Sequence, residues 1–161
     1  MSREIEFRGK RVDNNEFIFG SLIVDKISDK YYISISVEES EKVGEEGCLR
    51  VVSCEVNKDT VGQYTGLRDK NKKEIYEGDI IKFTNNIDEI YNEEIGVCLF
   101  EQDECNFVLQ RKIINAENYP MPMTISTIYL ISNETYSKDC KYKIIGDIYE
   151  NPELLVGDNQ C

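Results

Sequence analysis

The sequence contains no histidine and no tryptophan among its 161 residues. The absence of histidine excludes His-ligated metal sites and every mechanism that depends on a histidine general base. Only three prolines occur and 40% of the residues are apolar, which is the composition of a folded chain rather than a disordered one. No apolar run approaches the ~20 residues that cross a membrane, so we expect no membrane partner.

The usual nucleotide and hydrolase motifs are also missing. No Gly-x-Gly-x-x-Gly, no phosphate-binding P-loop and no Gly-x-Ser-x-Gly occurs. One carboxylate pair is left as a catalytic candidate, because Asp79 and Asp147 each follow a glycine and could bind a hard cation if their strands are neighbours. Acids that cap turns are the favoured interpretation of both. The sequence therefore predicts no enzyme, no cofactor and no metal.

Six cysteines are present, but their spacing is not that of a zinc site. No Cys-x-x-Cys pair occurs, and the first residues, MSREIEF, do not form a secretion signal. Reduced thiols and a cytoplasmic location are therefore expected. The cysteines are Cys48, Cys54, Cys98, Cys105, Cys140 and Cys161.

The formal net charge is −12 and the pI is about 4.5. Such a balance argues against direct binding of nucleic acid, because phosphates are bound by clustered lysine and arginine. A strongly acidic protein could instead imitate nucleic acid and inhibit a host nuclease, with the acidic stretch Glu38–Gly47 as the candidate surface. Dispersed acids on a solvated surface are the favoured alternative, since the charges are spread along the chain.

Short alternating segments separated by turn residues predict nine or ten strands and little helix. The expected fold is mainly β, with small barrel or sandwich-like β units and short helices, one of them C-terminal after Asn151 and Pro152. We expect Arg3–Arg8 to be a strand with Ile5 and Phe7 on its buried face, and Thr84–Glu94 to be a long hairpin loop. The predicted division is a subdomain at 1–56 and a second at 57–161, or one compact domain.

The most distinctive stretch is Thr60–Phe83, which contains the chain's one local cluster of basic residues beside two tyrosines. Aromatic and basic side chains together suit an anionic ligand or an interface with another copy, of which the interface is favoured. The candidates are Tyr64, Arg68, Lys70, Lys72, Lys73 and Tyr76. A second set is expected at turns and bulges, and consists of Gly66, Gly78, Asp79, Gly146 and Asp147.

The run VGQYTGLRDKNKKEIYEGDIIKF at 61–83 resembles the central signature of the YopX family. The opening REIEFR at 3–8 and IIGDIYENPELL at 144–155 resemble the family's two ends. Where the family often has a glycine after Asn71, this chain has Lys72, which predicts a loop longer than a two-residue turn. The resemblance implies a protein encoded by a bacteriophage or prophage, located in the bacterial cytoplasm and assembled as a homo-oligomer. It implies no reaction.

These observations lead to one functional hypothesis and two alternatives. The first is a non-enzymatic phage accessory protein, a homo-oligomeric binding module that modulates the host, with a host protein as partner. The second is an oligomer that sequesters a small anionic, nucleotide-like molecule as a counter-defence. The third is the acidic nucleic-acid mimic that inhibits a host nuclease.

Overall fold

A computed structural model describes residues 4–39, 48–87, 90–103, 105–111, 124–126 and 142–155. Within these ranges the chain is almost entirely strand, which confirms the predicted mainly β fold, and its helical parts are two short 3₁₀ turns. The strands are β1 (Phe7–Lys10), β2 (Phe17–Asp25), β3 (Lys30–Glu39), β4 (Cys48–Val56), β5 (Gly62–Arg68), β6 (Glu74–Tyr76), β7 (Asp79–Ile87), β8 (Ile90–Glu101), β9 (Asn106–Arg111), β10 (Thr124–Ser126) and β11 (Lys143–Asp147).

The chain divides into two units, Met1–Tyr64 and Thr65–Cys161. In the first unit an antiparallel sheet has the strand order β4-β3-β2-β1, with Gly62 and Gln63 at the start of β5 paired to β1. A bridge between Arg11 and Val56 joins the end of β1 to the end of β4, so the sheet curls at one end. Neither this sheet nor that of the second unit closes into a barrel within the described residues.

The first strand differs from its prediction in both position and buried face. It runs from Phe7 to Lys10, while Ile5 lies before it and is 67% exposed. Arg8 is buried instead, with its guanidinium carbon 4.8 Å from the centroid of the Phe17 ring. A long cationic side chain can bury its apolar stem and place its charge over an aromatic face, so alternation of polar and apolar residues was misleading here.

Gly20 lies in the middle of β2, where the sequence suggests a bulge or a close backbone approach. A β-carbon at this position would collide with the carbonyl oxygen of Ser34 on β3. The close approach is therefore the correct alternative, and it explains why a residue with low strand propensity occupies a strand interior.

The second unit contains an antiparallel sheet with the order β10-β9-β8-β7-β11. Its core combines side chains from this sheet with Ile75 of β6, and Leu67 of β5 packs against it. The buried members are Ile75, Ile81, Phe83, Cys98, Phe107, Leu109, Tyr142 and Ile144.

The predicted hairpin loop at Thr84–Glu94 is wrong, because most of this stretch is strand. β7 continues to Ile87 and β8 begins at Ile90, with Ile87 and Ile90 as register partners. Main-chain pairing does not require apolar side chains, so a polar stretch can extend a ladder that an apolar segment has begun. Low hydrophobicity was therefore a poor indicator of a loop.

The other local expectations have mixed outcomes. The C-terminal helix is present as a 3₁₀ turn at Pro152–Leu155. Asn151 directly precedes this turn, and its carbonyl accepts from the Leu154 N–H (3.1 Å), while its Oδ1 atom accepts from the Asp147 N–H (3.4 Å). Most of the stretch Glu38–Gly47 lies outside the described residues, as do Cys140 and Cys161.

Candidate functional site

The candidate site is the loop between β5 and β6, residues 69–73, which we call the basic tip. Its five residues bear out the expectation of a loop longer than a two-residue turn, and Lys72 adopts a left-handed conformation (φ 66°). The Asp69 N–H donates to the carbonyl of Lys73 (2.8 Å), and the Lys72 N–H donates to the carbonyl of Asp69 (2.9 Å). The main chain of the tip is thus closed on itself.

The Asp69 carboxylate holds the tip together from inside. Its Oδ1 atom accepts from the N–H groups of Asn71 (2.7 Å) and Lys73 (3.0 Å), and its Oδ2 atom accepts from the N–H of Ile144 on β11 (3.3 Å). The side chain is buried, with the residue only 6% exposed. Backbone amides in a turn lack the carbonyl acceptors that strand pairing provides. The Asp69 carboxylate supplies acceptors for three of them.

Burial and hydrogen bonding shift the pKa of the Asp69 carboxyl group in opposite directions. Burial raises the pKa of its carboxyl group, but the hydrogen bonds from Lys73, Ile144 and Asn71 lower it, and the net direction is below the ordinary value of 3.8. Amide donors stabilise the ionised form more than the neutral one, which is why they prevail. Asp69 is therefore an anion in the folded protein at neutral pH.

The tip is also attached to the edge of the five-stranded sheet. The Lys70 N–H donates to the carbonyl of Tyr142 (3.0 Å), next to the bond from Ile144 to Asp69. The side chains of Lys70, Lys72 and Lys73 remain exposed. Basic groups are thus presented on a loop whose main chain is held at both the turn and the sheet edge.

Arg68 and Tyr76 flank the tip and bind the same glutamate. The Arg68 guanidinium lies 2.6 Å from Glu74 Oε1, and the Tyr76 hydroxyl donates to Glu74 Oε2 (3.1 Å). Tyr76 is only 3% exposed, and Tyr64, in the other unit, is 5% exposed. Both tyrosine rings are therefore packed in the protein interior, whereas the lysines of the tip face solvent.

Asp79 and Asp147 are brought together as register partners on β7 and β11. The Oδ2 atom of Asp79 accepts from the Tyr76 N–H (2.9 Å), and the Oδ1 atom of Asp147 accepts from the N–H groups of Tyr149 and Glu150 (both 2.9 Å). Each acid thus caps its own turn. Among the described residues, no three metal-binding side chains are grouped so that they could hold an ion.

The glycines singled out in the sequence lie at turns and at a bulge. Gly66 (φ 85°) and Gly78 (φ 86°) have left-handed conformations. Gly146 follows the register shift between β11 and β7 and lies against Asn151, whose β-carbon would be 2.9 Å from a β-carbon at position 146.

Two contributors to this region were missed by sequence reasoning. Asp69 looked like one charged residue of a polar loop, although an Asp followed by Asn and Lys residues is a recognisable turn signal. Lys143 is far from the tip in sequence, but it lies between Tyr142 and Ile144, the two residues that bind the tip. No local signal could have identified that neighbour.

The described cysteines, ion pairs and helices outside the tip add no further candidate site. Cys54, Cys98 and Cys105 are not in disulfides. Exposed ion pairs join Lys30 to Glu55 and Lys58 to Asp29. No helix in the described part of the chain has the length and apolar character needed to cross a membrane.

Comparisons with known proteins point to one family. The family described as YopX protein matches residues 6–156. The crystal structure of protein EF1440 from Enterococcus faecalis is similar in fold, with a TM-score of 0.53 and 19% sequence identity over 96% of this chain and 99% of that one. No functionally curated protein matches. Because the family match extends over nearly the whole chain, including the basic tip and both capping acids, this protein belongs to the YopX family.

Proposed function

We propose that this protein is a non-enzymatic binding module that assembles with copies of itself through its basic tip. It acts as an accessory protein of a phage or prophage in the bacterial cytoplasm, where the assembled form engages a host protein. The observation that carries the proposal is the presentation of Lys70, Lys72 and Lys73 on a loop held by Asp69 and by β11.

The rigidity of the tip favours a binding role. Immobilising a flexible loop on association costs conformational free energy, and a loop that is already ordered avoids most of this cost. Here the main-chain amides of Lys70, Asn71, Lys72 and Lys73 are all hydrogen-bonded. The main chain that carries the three lysines is therefore already ordered before any partner arrives.

The charge of the whole chain favours another copy as the partner. Molecules with a net charge of −12 repel one another, so assembly requires a local attraction. A positive tip against a negative surface of a neighbour provides it, and such complementarity chiefly determines orientation and partner choice.

Light scattering on matched charge reversals tests self-assembly. Lys70→Glu, in the tip, should reduce the assembled mass at micromolar concentration, whereas Lys26→Glu, at an exposed turn with the same change in charge, should not. A wild-type protein that is monomeric at this concentration, or equal effects of both variants, would contradict the proposal.

The host partner is tested by affinity capture from an infected-host lysate, followed by mass spectrometry. We expect a host protein to be enriched with the wild-type assembly and depleted with Lys70→Glu. If no protein is enriched over the bead control, the host-binding part of the proposal fails, while the self-assembly result is unaffected.

A second candidate function is sequestration of a small anionic, nucleotide-like molecule, which the exposed lysines of the tip favour. Burial of the rings of Tyr64 and Tyr76 makes base stacking on them the weaker part of this hypothesis. The prediction is ultraviolet absorbance of a released nucleotide when the purified protein is denatured, and its loss in Arg68→Ala. Ligand-free protein purified from infected cells would contradict it.

A further inference from the structure

Strand β11 lies between the basic tip and β7. The carbonyl of Tyr142 accepts from the Lys70 N–H, and the N–H of Ile144 donates to Asp69, so these two residues direct their main-chain groups to the tip. Successive residues of a strand direct these groups to opposite edges, so those of Lys143 are directed towards β7. Lys143 therefore has the tip on one side and β7 on the other.

The residue opposite Lys143 on β7 is also a lysine. Lys82 is its register partner, and the β-carbons of such partners are about 4.5–5.5 Å apart. The chain neighbours Ile81 and Ile144 belong to the core, and side chains alternate along a strand, so both lysines project from the other face. Like charges directly opposite in a sheet are unfavourable, and a local arrangement that opposes stability is typical of a functional site.

Three lysines thus lie on three adjacent segments of the chain, and we call them the lysine row: Lys70, Lys143 and Lys82. Lys70 and Lys143 are exposed and Lys82 is half-buried. Adjacent segments are about 4.8 Å apart, and each ammonium group is carried on a flexible stem. The three ammonium groups can therefore converge on one anionic group bound between them.

The charge around the lysine row is positive although that of the whole chain is negative. Residues 68–74 and the two strand lysines of the row contain six basic and two acidic side chains. Asp69 binds backbone amides, and Glu74 binds Arg68 and Tyr76. Exposed charges interact over about 8 Å at physiological ionic strength, so an anion at the row responds chiefly to these neighbours.

A phosphate group suits this arrangement better than a carboxylate. A phosphate monoester carries a charge of about −1.5 to −2 at pH 7 and has three acceptor oxygens, and lysine is a common phosphate ligand. Tyr76 and Tyr142, the tyrosines next to the tip and to Lys143 in sequence, are only 3% and 6% exposed. Their rings are not available to stack on a base, so recognition through the phosphates is expected.

We propose that the lysine row binds the phosphate groups of a small phosphorylated molecule, and that the phosphates rather than a base determine the affinity. Lys70 contributes from the tip, and Lys82 and Lys143 contribute from the sheet. This inference rests on the second candidate function, sequestration of an anionic molecule, and assigns the site where it occurs.

Isothermal titration calorimetry on the full chain tests the site, with tripolyphosphate, ATP and adenosine as probes. Tripolyphosphate and ATP should bind with similar affinity, and adenosine should not bind. Lys70→Gln and Lys143→Gln should each weaken binding of both phosphate probes by roughly tenfold, because each removes one charge-assisted hydrogen bond. Lys26→Gln, at an exposed turn, removes the same charge and should bind as the wild type does.

The outcomes separate the site from the function on which it rests. Circular dichroism should show that Lys143→Gln is folded, since it removes one of two opposed like charges. If Lys143→Gln binds like the wild type, or if ATP binds far more tightly than tripolyphosphate, the lysine row is not the site and the inference is overturned, although sequestration stands. If the wild type binds neither phosphate probe, sequestration fails as well.

Discussion

Asp79 and Asp147 are register partners across β7 and β11, and each carboxylate accepts main-chain hydrogen bonds from its own turn. The two Gly-Asp pairs of the sequence, Gly78-Asp79 and Gly146-Asp147, thus lie opposite each other where β11 pairs with β7. The same two acids were the only candidates for metal or acid–base chemistry in the sequence. Their bonds to backbone amides favour a structural role for the pair.

Removal of the Asp147 carboxylate should destabilise the protein. Asp147→Ala leaves the N–H groups of Tyr149 and Glu150 without their acceptor, and we expect a loss of about 1–2 kcal/mol in the free energy of unfolding. Asp147→Asn should lose less, because the amide oxygen can still accept. Urea denaturation followed by circular dichroism measures both, and equal stability of Asp147→Ala and the wild type would contradict the capping role.

The stability of the tip should depend on pH through Asp69. The pKa of its carboxyl group is lowered in the folded state, so the unfolded chain binds the proton more tightly. The resulting stabilisation is complete above the ordinary pKa of 3.8 and is lost as the pH falls through the lower, folded-state pKa.

Asp69→Asn should therefore flatten the decrease in unfolding free energy that occurs as the pH falls below the ordinary pKa of 3.8. Its control for the removal of one carboxyl group is Asp103→Asn, at an exposed turn. A variant profile parallel to that of the wild type would show that Asp69 does not contribute.

Gly146 should tolerate alanine only when Asn151 is also changed. A β-carbon at position 146 would lie 2.9 Å from the β-carbon of Asn151, so we expect Gly146→Ala to cost about 1–3 kcal/mol by overpacking. Asn151→Gly removes the obstructing side chain, and in that background the alanine should cost much less. Equal costs in the two backgrounds, measured as a double-mutant cycle, would exclude this contact as the cause.

Self-association should weaken as salt is added. The proposed self-assembly places the exposed lysines of the tip against a negative surface of a neighbouring copy, and the screening length shortens from about 10 Å at 0.1 M to about 3 Å at 1 M salt. Sedimentation across this range should show progressive dissociation, and the effect should be smaller in the residual assembly of Lys70→Glu. Assembly that strengthens with salt would indicate an apolar interface instead.

Several local features were predictable because their causes are local. Alternation predicted most strands, and the departure from a tight turn at Asn71–Lys73 predicted the longer loop that is observed. A glycine at position 20, inside a strand, indicated either a bulge or a close approach of two backbones. The position of the Ser34 carbonyl oxygen shows that the close approach is correct. The errors arose where distant residues intervene: Arg8 is buried because Phe17 on the neighbouring strand lies beneath it.

The sequence by itself determined the mainly β class, the family, the strongly acidic charge and the position of the basic tip. These follow from composition, periodicity and the order of residues along the chain. Only the tertiary structure decided that Asp69 holds the tip to β11, that Lys143 lies between the two residues that bind the tip, and that β7 and β8 pair as far as Ile87 and Ile90. The physical reason is that strand pairing brings residues 75 positions apart, such as Asp69 and Ile144, into hydrogen-bonding contact, and no local pattern records such a partner.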